Sequence, residues 1–355
     1  MMQADCQEAV YALLPAGHPY KVEPLSGGLI NHTFKVTDLQ TGESFLLQKI
    51  NRQVFPDPEK IQANYQQLWQ FLAEKSMPLF IPEMKFFNGS KNLFTDRTDQ
   101  CWRSFEFIGS GLQLNGTEVP AQAAAVAETF ARFTASFHQL DSTLLHRILP
   151  GFHDVKQRFD QFTGSLTGAP TTRLEKAAIL ISELKKRQRY AGLYQQFTAD
   201  PDFKFRVMHH DAKIANVLFD RQSGKVICPV DLDTVMPGYF FSDLGDMIRS
   251  MAGTTDENST DFDRIQIRPA IYQSIIDGYT RGINEWLSGP ERAYLHASGI
   301  LLIYMQALRF MTDYLRNDSY YKINYPEQNF DRAKNQLVLL KRLEEFLADN
   351  YKFTC

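Results

Sequence analysis

Residues 209–216 read His209-His210-Asp211-Ala212-Lys213-Ile214-Ala215-Asn216, and the apolar run Val226-Ile227-Cys228-Pro229-Val230 ends on Asp231-Leu232-Asp233. A His-x-Asp, an Asn five places after that Asp, and another Asp closing the next strand are the parts that phosphoryl transfer uses. The reaction needs little covalent help from a protein, but it needs a carboxylate near the incoming hydroxyl and a divalent cation bridging the phosphates. Asp211 suits the first requirement. A loop that turns after Asp211 brings the Asn216 amide oxygen toward Mg²⁺, and Asp231 offers the same metal an ionised carboxylate. Lys213, two residues past Asp211, is placed to point its ammonium at the transferring phosphate.

Asp and Asn also gather at turns because their side chains bond nearby backbone, and Asp220-Arg221-Gln222-Ser223-Gly224-Lys225 is a hairpin turn of that kind. The full string, with apolar segments 217–219 and 226–230 on either side of that turn, is what points to chemistry. A hydrolytic metal centre built on His209, His210, Asp211, Asp231 and Asp233 is the rival use of the same residues. The other histidines, at positions 18, 32, 138, 146, 153 and 296, provide no HExxH or HxH spacing to complete one.

These residues need elements to position them. Residues 20–24, 33–37, 44–50, 84–87 and 102–108 alternate or cluster apolar side chains between turns, which predicts an antiparallel sheet. Ser26-Gly27-Gly28-Leu29-Ile30-Asn31 lies between the first two strands as a short glycine-bearing loop whose backbone amides can approach phosphates, although any hairpin turn can use Gly-Gly. Gln48 and Lys49 point to opposite faces because strand side chains alternate, leaving open which of them meets a nucleotide. Ile61, Tyr65, Leu68, Trp69 and Leu72 predict a helix over 58–75. Backbone groups of Glu106 to Ile108 are candidates for contact with an adenine, and 109–116, with three glycines and little charge, reads as a connection between lobes.

From residue 120 the period becomes helical. Ala123, Val126, Ala127, Phe130, Phe133, Phe137 and Leu140 form one apolar stripe behind Pro120. Helices are predicted near 171–197, 262–286, 290–316 and 327–350, with the catalytic hairpin between the first two of these. The expected organisation is an N-terminal nucleotide-binding lobe over 1–108, a linker over 109–116, and a helical lobe over 117–355 carrying the catalytic loop.

With 355 residues, 44% of them hydrophobic, the chain can bury a large core. A net charge of -3 offers no electrostatic footprint for nucleic acid or an anionic membrane, so a small-molecule partner fits better. Cys6, Cys101, Cys228 and Cys355 are scattered and read as free thiols. The start of the chain lacks a basic segment followed by an apolar one, and no apolar run reaches the roughly 18 residues of a spanning helix, so a cytoplasmic protein, monomeric or weakly dimeric, is expected.

The lobes, the HxDxxxxN string and the following Asp together resemble the aminoglycoside phosphotransferase and choline kinase superfamily, which implies an α+β, protein-kinase-like two-lobe fold. Narrower likenesses lie in Ser26 to Phe34, in Leu46 to Asn51 with Val54-Phe55-Pro56-Asp57, and in Asp231-Leu232-Asp233-Thr234-Val235-Met236-Pro237-Gly238 with Asp243-Leu244-Gly245-Asp246. Arg309-Phe310-Met311-Thr312-Asp313-Tyr314-Leu315 with Tyr320 and Tyr325-Pro326-Glu327 adds another. Over about residues 20–335 the chain resembles the bacterial N-acetylhexosamine 1-kinases. The resemblance implies ATP and Mg²⁺, with Asp211 as base on the anomeric hydroxyl of a sugar, Asn216 and Asp231 on the metal, and Arg309 and Tyr320 on the sugar. Asp233 then orders the loop or contacts substrate, and Asp243 and Asp246 cap a helix or bind the catalytic loop. Asp313, one turn from Arg309, offers a plain ion pair as the alternative.

Departures from protein kinases are also visible. The helix expected to pair with a strand lysine has Gln66 and Gln67 where a Glu would be sought, and neither DFG nor Ala-Pro-Glu occurs. Three readings therefore compete with the hexosamine kinase: a kinase of the same fold for an amino alcohol, methylthio sugar or aminoglycoside, an inactive nucleotide-binding module, and a metal-dependent hydrolase.

Overall fold

The computed structural model describes residues 6–25, 30–77 and 80–355, so the expected phosphate contacts of Ser26, Gly27 and Gly28 lie outside the described residues. The chain divides into two compact units. The first comprises residues 1–112, 143–148 and 218–236, and the second comprises 113–142, 149–217 and 237–355.

In the first unit, helix α1 (Gln7–Leu13) precedes strands β1 (Tyr20–Leu25), β2 (His32–Asp38) and β3 (Ser44–Lys49). Helix α2 (Pro58–Glu74) and strands β4 (Met84–Lys85), β5 (Phe94–Thr95) and β6 (Cys101–Glu106) follow. The sheet runs β1-β2-β3-β6-β4 with β5 on β6, and all its pairings are antiparallel. Register places Phe34 opposite Leu47 and Val36 opposite Phe45, so these four share one face. That face packs with Trp102 against Cys6, Ala9 and Val10 of α1. The opposite face carries Gln48 paired with Arg103, and Phe105, whose ring lies 4.8 Å from that of Tyr65 on α2.

Helix α2 begins with Pro58 at its first turn and buries Ile61, Tyr65, Leu68 and Leu72, the stripe its sequence predicts. Its buried Asn64 explains how later segments join this unit. The amide nitrogen donates to the carbonyls of His146 (2.8 Å) and Val235 (2.9 Å), and the amide oxygen accepts from the His146 N–H (2.7 Å).

The second unit is mainly helical: α3 (Pro120–Ser136), α4 (Val155–Ser165), α5 (Thr171–Lys186), α6 (Arg189–Ala199), α7 (Phe241–Met251), α8 (Pro269–Ile283), α9 (Gly289–Ala293), α10 (Ala297–Leu315) and α11 (Gln328–Tyr351). The single helix expected over 171–197 is two, separated at residues 187–188, and the one expected from 262 begins at Pro269, whose ring starts a helix but cannot continue one. Helix α4 was not apparent from periodicity, although Asp154 caps it by accepting from the Gln157 N–H at 2.8 Å. The helix expected over 290–316 is likewise two, α9 and α10, and every residue of α10 except Arg309 is buried, so it is a central helix covered all round. No described helix is long and apolar enough to cross a membrane.

Helices α3 and α8 approach closely because two glycines of α8 face α3. A Cβ built on Gly278 would fall on the Ala124 backbone carbonyl, and one on Gly282 would lie 2.5 Å from the Glu128 carbonyl oxygen. Alanine normally gains about 0.5–1 kcal/mol over glycine inside a helix. Here the clash is with backbone, and overpacking typically costs about 1–3 kcal/mol. Gly278→Ala should therefore lower the urea midpoint, and a raised midpoint would contradict this helix contact.

Candidate functional site

In the second unit, α3 holds the short strand Arg206–Met208 that leads into the candidate catalytic loop: the Thr134 hydroxyl donates to the Val207 carbonyl at 3.0 Å. His209 follows, fully buried, with its ring edge-on to Phe130 at 4.9 Å. His210 then takes a left-handed backbone (φ 63°), which costs a non-glycine residue about 1–2 kcal/mol and turns the chain sharply.

A buried carboxylate holds that turn. Asp243, on the first turn of α7, accepts from the His209 N–H at 2.9 Å on one oxygen and from the His210 N–H at 2.7 Å on the other. Of the two roles open to Asp243, binding the catalytic loop is the observed one. Burial pushes its pKa up, the two N–H donors pull it down, and the negative charges of Asp246 and Asp211 push it up again, to about 7. Asp246 is also raised by burial, against the pull of Arg249, which bonds it at 2.9 Å and also bonds Glu257 at 2.7 Å. Helix α7 reaches this position by close approach to α10: a Cβ on Gly245 would strike the Ser298 carbonyl, and one on Gly299 would lie 2.6 Å from Ile248.

Asp211, Lys213 and Asn216 come together as expected. One Asp211 oxygen accepts from the Lys213 ammonium at 2.9 Å and from the Asn216 amide at 2.8 Å, and that amide also bonds the Asp211 carbonyl at 2.9 Å. Burial pushes the Asp211 pKa up, but the Lys213 charge and hydrogen bond, His209 and Asn216 outweigh it and leave the group below its ordinary value. Asp211 is thus an ionised carboxylate, and its side chain keeps 28% exposure. Because Asn216 donates through nitrogen, its oxygen is the atom that can face a cation.

Arg309 and Tyr320 also meet. The Arg309 guanidinium lies 6.0 Å from the Tyr320 ring centroid and donates to the Gln306 side-chain oxygen at 3.1 Å. The alternative ion pair with Asp313 does not form, because Asp313 accepts from the N–H groups of Tyr320 (2.8 Å) and Tyr321 (2.9 Å) and from Asn329 (2.9 Å). Asp313 thereby holds the segment that presents Tyr320.

In the first unit, Asp231 has a left-handed backbone (φ 61°, ψ 56°) and an exposed side chain, ahead of the 3-10 turn Leu232–Thr234. Asp tolerates that conformation better than most residues. Asp233, expected to order the loop or contact substrate, is buried and forms an ion pair with buried Arg103. Asn31, expected at the nucleotide, donates to Asp233 at 2.7 Å while its oxygen accepts from the Asn51 N–H at 3.0 Å. Gln48 accepts from Arg103 at 3.0 Å. These contacts give Asp233 and Asn31 an ordering role.

Lys49, the other expected nucleotide ligand on β3, points to the α1 side of the sheet, its ammonium 5.9 Å from the Trp102 ring. The strand cation on the other face is Arg103, which spacing did not single out. Its signal was a charged residue inside the run Cys101-Trp102-Arg103-Ser104-Phe105, since a buried guanidinium demands a carboxylate partner. At 106–108, the Glu106 N–H already donates to the Glu83 carbonyl (2.9 Å) and the Ile108 carbonyl accepts from Gly111 (3.0 Å), so those two groups are taken.

Among the described residues no three His, Cys, Asp or Glu side chains cluster as a metal site. The oxygens of Asn216 and Asp231 are hard donors of the kind Mg²⁺ takes, and that ion is commonly bound by one or two protein oxygens plus substrate phosphates. The donor chemistry fits the metal expected from the sequence.

The phosphotransferase enzyme family matches residues 21–282. Among solved structures, the chain is similar to an aminoglycoside phosphotransferase from Alicyclobacillus acidocaldarius (TM-score 0.64, 15% identity, covering 97% of this chain and 95% of that one). It is also similar to a microcompartment-associated aminopropanol kinase (0.61, 14%, 98% of each chain). A third likeness is to a spectinomycin phosphotransferase in complex with ADP and spectinomycin (0.57, 10%, 91% and 93%). The shared architecture is the α+β kinase-like fold, an N-terminal antiparallel sheet followed by a mostly helical region.

Two variants check the buried charges. Arg103→Met strands the Asp233 carboxylate, and breaking a buried pair from one side costs about 3–5 kcal/mol; adding Asp233→Leu should recover much of that in urea unfolding. For Asp243, the raised folded-state pKa means that folding favours the protonated acid. Its contribution is fully present below pH about 4, the ordinary carboxyl range, and is lost as pH rises to about 7. The stability of the wild type minus that of Asp243→Asn should accordingly fall between those pH values, and a flat difference would contradict the raised value.

Proposed function

Because the chain belongs to the phosphotransferase enzyme family, we propose that it transfers the γ-phosphoryl group of ATP to the C1 hydroxyl of an N-acetylhexosamine, N-acetylglucosamine or N-acetylgalactosamine. The observation that carries the transfer step is the trio Asp211, Lys213 and Asn216 converging on one carboxylate oxygen. Asp211 is ionised and partly exposed, so it can accept the hydroxyl proton as the new P–O bond forms and the bond to the ADP leaving oxygen breaks. Lys213, now paired with Asp211, can hold negative charge on the transferring group. Asn216 and Asp231 each offer a side-chain oxygen that could hold Mg²⁺, which would neutralise phosphate charge. The choice of a hexosamine rests on the sequence likenesses at 231–238 and 309–315 and on Arg309 lying beside Tyr320.

The second reading keeps the chemistry and changes the acceptor to an amino alcohol or an aminoglycoside. It is favoured by the names of similar structures, an aminopropanol kinase and a spectinomycin phosphotransferase.

The deciding experiment incubates the protein with ATP, Mg²⁺ and a panel of N-acetylhexosamines, amino alcohols and aminoglycosides, following ADP release and the phosphorus spectrum of the product. A hexosamine 1-phosphate is expected. Faster turnover of an amino alcohol, or phosphate on C6, would establish the second reading or a different sugar kinase. Asp211→Asn keeps the shape but not the base, and should lower kcat by roughly 10²–10⁴-fold with ATP binding retained; near-normal turnover would remove Asp211 from this role.

A further inference from the structure

Arg309 is the one residue of α10 that is not buried, and its guanidinium sits among three rings. The carbon centre lies 5.1 Å from the centroid of Phe152, 5.5 Å from that of Tyr321 and 6.0 Å from that of Tyr320. Ring faces are negative and attract cations, and several converging on one point make the cage with which proteins hold alkylammonium groups. Here the chain supplies the cation itself. Asp313, the carboxylate one turn along, bonds backbone N–H groups of the loop rather than the guanidinium. A second guanidinium adds to it: Arg158 on α4 donates to the carbonyl of Phe152 at 3.2 Å and to Gln161 at 2.8 Å. Burial, and then the charge of Arg309, push the Arg158 pKa down, which marks the two as neighbours that repel. Tyr320, 68% exposed, leaves the cluster open to solvent on its side.

Resting on the reading that this cluster meets the acceptor, we propose that Arg309 is a built-in plug in an aromatic ammonium cage, by which the site refuses cationic alcohols and accepts neutral ones. An incoming ammonium meets ring faces already occupied and two like charges. A neutral polyol or amide instead offers oxygens to the guanidinium donors, which have no acceptor role of their own. Acceptor charge is thus selected by one side chain, while the aromatic walls remain those of an ammonium site.

The probes are choline and its uncharged carbon isostere, in which a tert-butyl group replaces the trimethylammonium, titrated calorimetrically into the full chain. Wild type should bind the neutral alcohol more tightly than choline. Arg309→Ala empties the cage and should reverse that order, tightening choline by roughly 2- to 30-fold, the range of a cation–ring contact. Arg309→Lys keeps a charge in place and should keep the wild-type order, and adding Phe152→Ala to Arg309→Ala should abolish the gain. A wild type that prefers choline overturns the proposal without any variant, so an unfolded Arg309→Ala would not protect it. A folded Arg309→Ala with no gain for choline overturns it as well. The titration reads binding and not turnover, so a protein that prefers the neutral probe yet phosphorylates no hexosamine would refute the earlier reading and leave this one standing.

Discussion

The backbone of His209 and His210 hangs from one buried carboxylate, and the candidate catalytic loop depends on that attachment. His209 and His210 both donate their N–H groups to Asp243, and the left-handed His210 beside them persists because the surrounding contacts hold it. Asp243 reaches both at once because its carboxyl group sets two oxygens side by side, where an asparagine of the same size would set one oxygen and one donating nitrogen. The attachment is in turn only as good as the seat of α7, which the small residues Gly245 and Gly299 let settle against α10. Helix packing, backbone conformation and the position of one reactive oxygen therefore form a single chain of causes.

The two units solve the problem of buried charge differently. In the first, Asp233 is neutralised by Arg103 and shared with Asn31, so its charge is compensated by a partner and spent on holding the turn that presents Asp231. In the second, Asp243 has backbone dipoles for partners and like charges for neighbours, and its affinity for a proton rises accordingly. Arg103 and Asp243 perform comparable positioning work for the two ends of the motif, one by ion pairing and one by hydrogen bonding.

Much of the candidate site was legible because its spacing is local. Asp211, Lys213 and Asn216 fall within six consecutive residues, and a loop that short can close on itself only by bringing their side chains together. What spacing cannot convey is the partner of a buried charge. Arg103 and Asp233 are 130 positions apart, and only the anomaly of an arginine between Trp102 and Ser104 hinted at the pair. The direction of Lys49 is not legible for a related reason: alternation shows that Gln48 and Lys49 face opposite ways, but which face each takes is decided by where α1 packs. No period marks a face of α10, since a helix covered on every side buries polar and apolar positions alike. The small sheet and the helix α2 were easier, because their periods match their burial.

The first unit is completed by residues 218–236, which the ribosome makes well after the sheet's own strands. At about 5–20 residues per second, roughly 6 to 26 seconds separate Arg103 from Asp233 during synthesis. In that interval the sheet has a guanidinium with no carboxylate to receive it on the face that will become its interior. A nascent chain in that condition has reason to stay open and little to gain from closing early. The late-arriving aspartate then acts as a latch, tying completion of the sheet to the emergence of the very turn that carries Asp231.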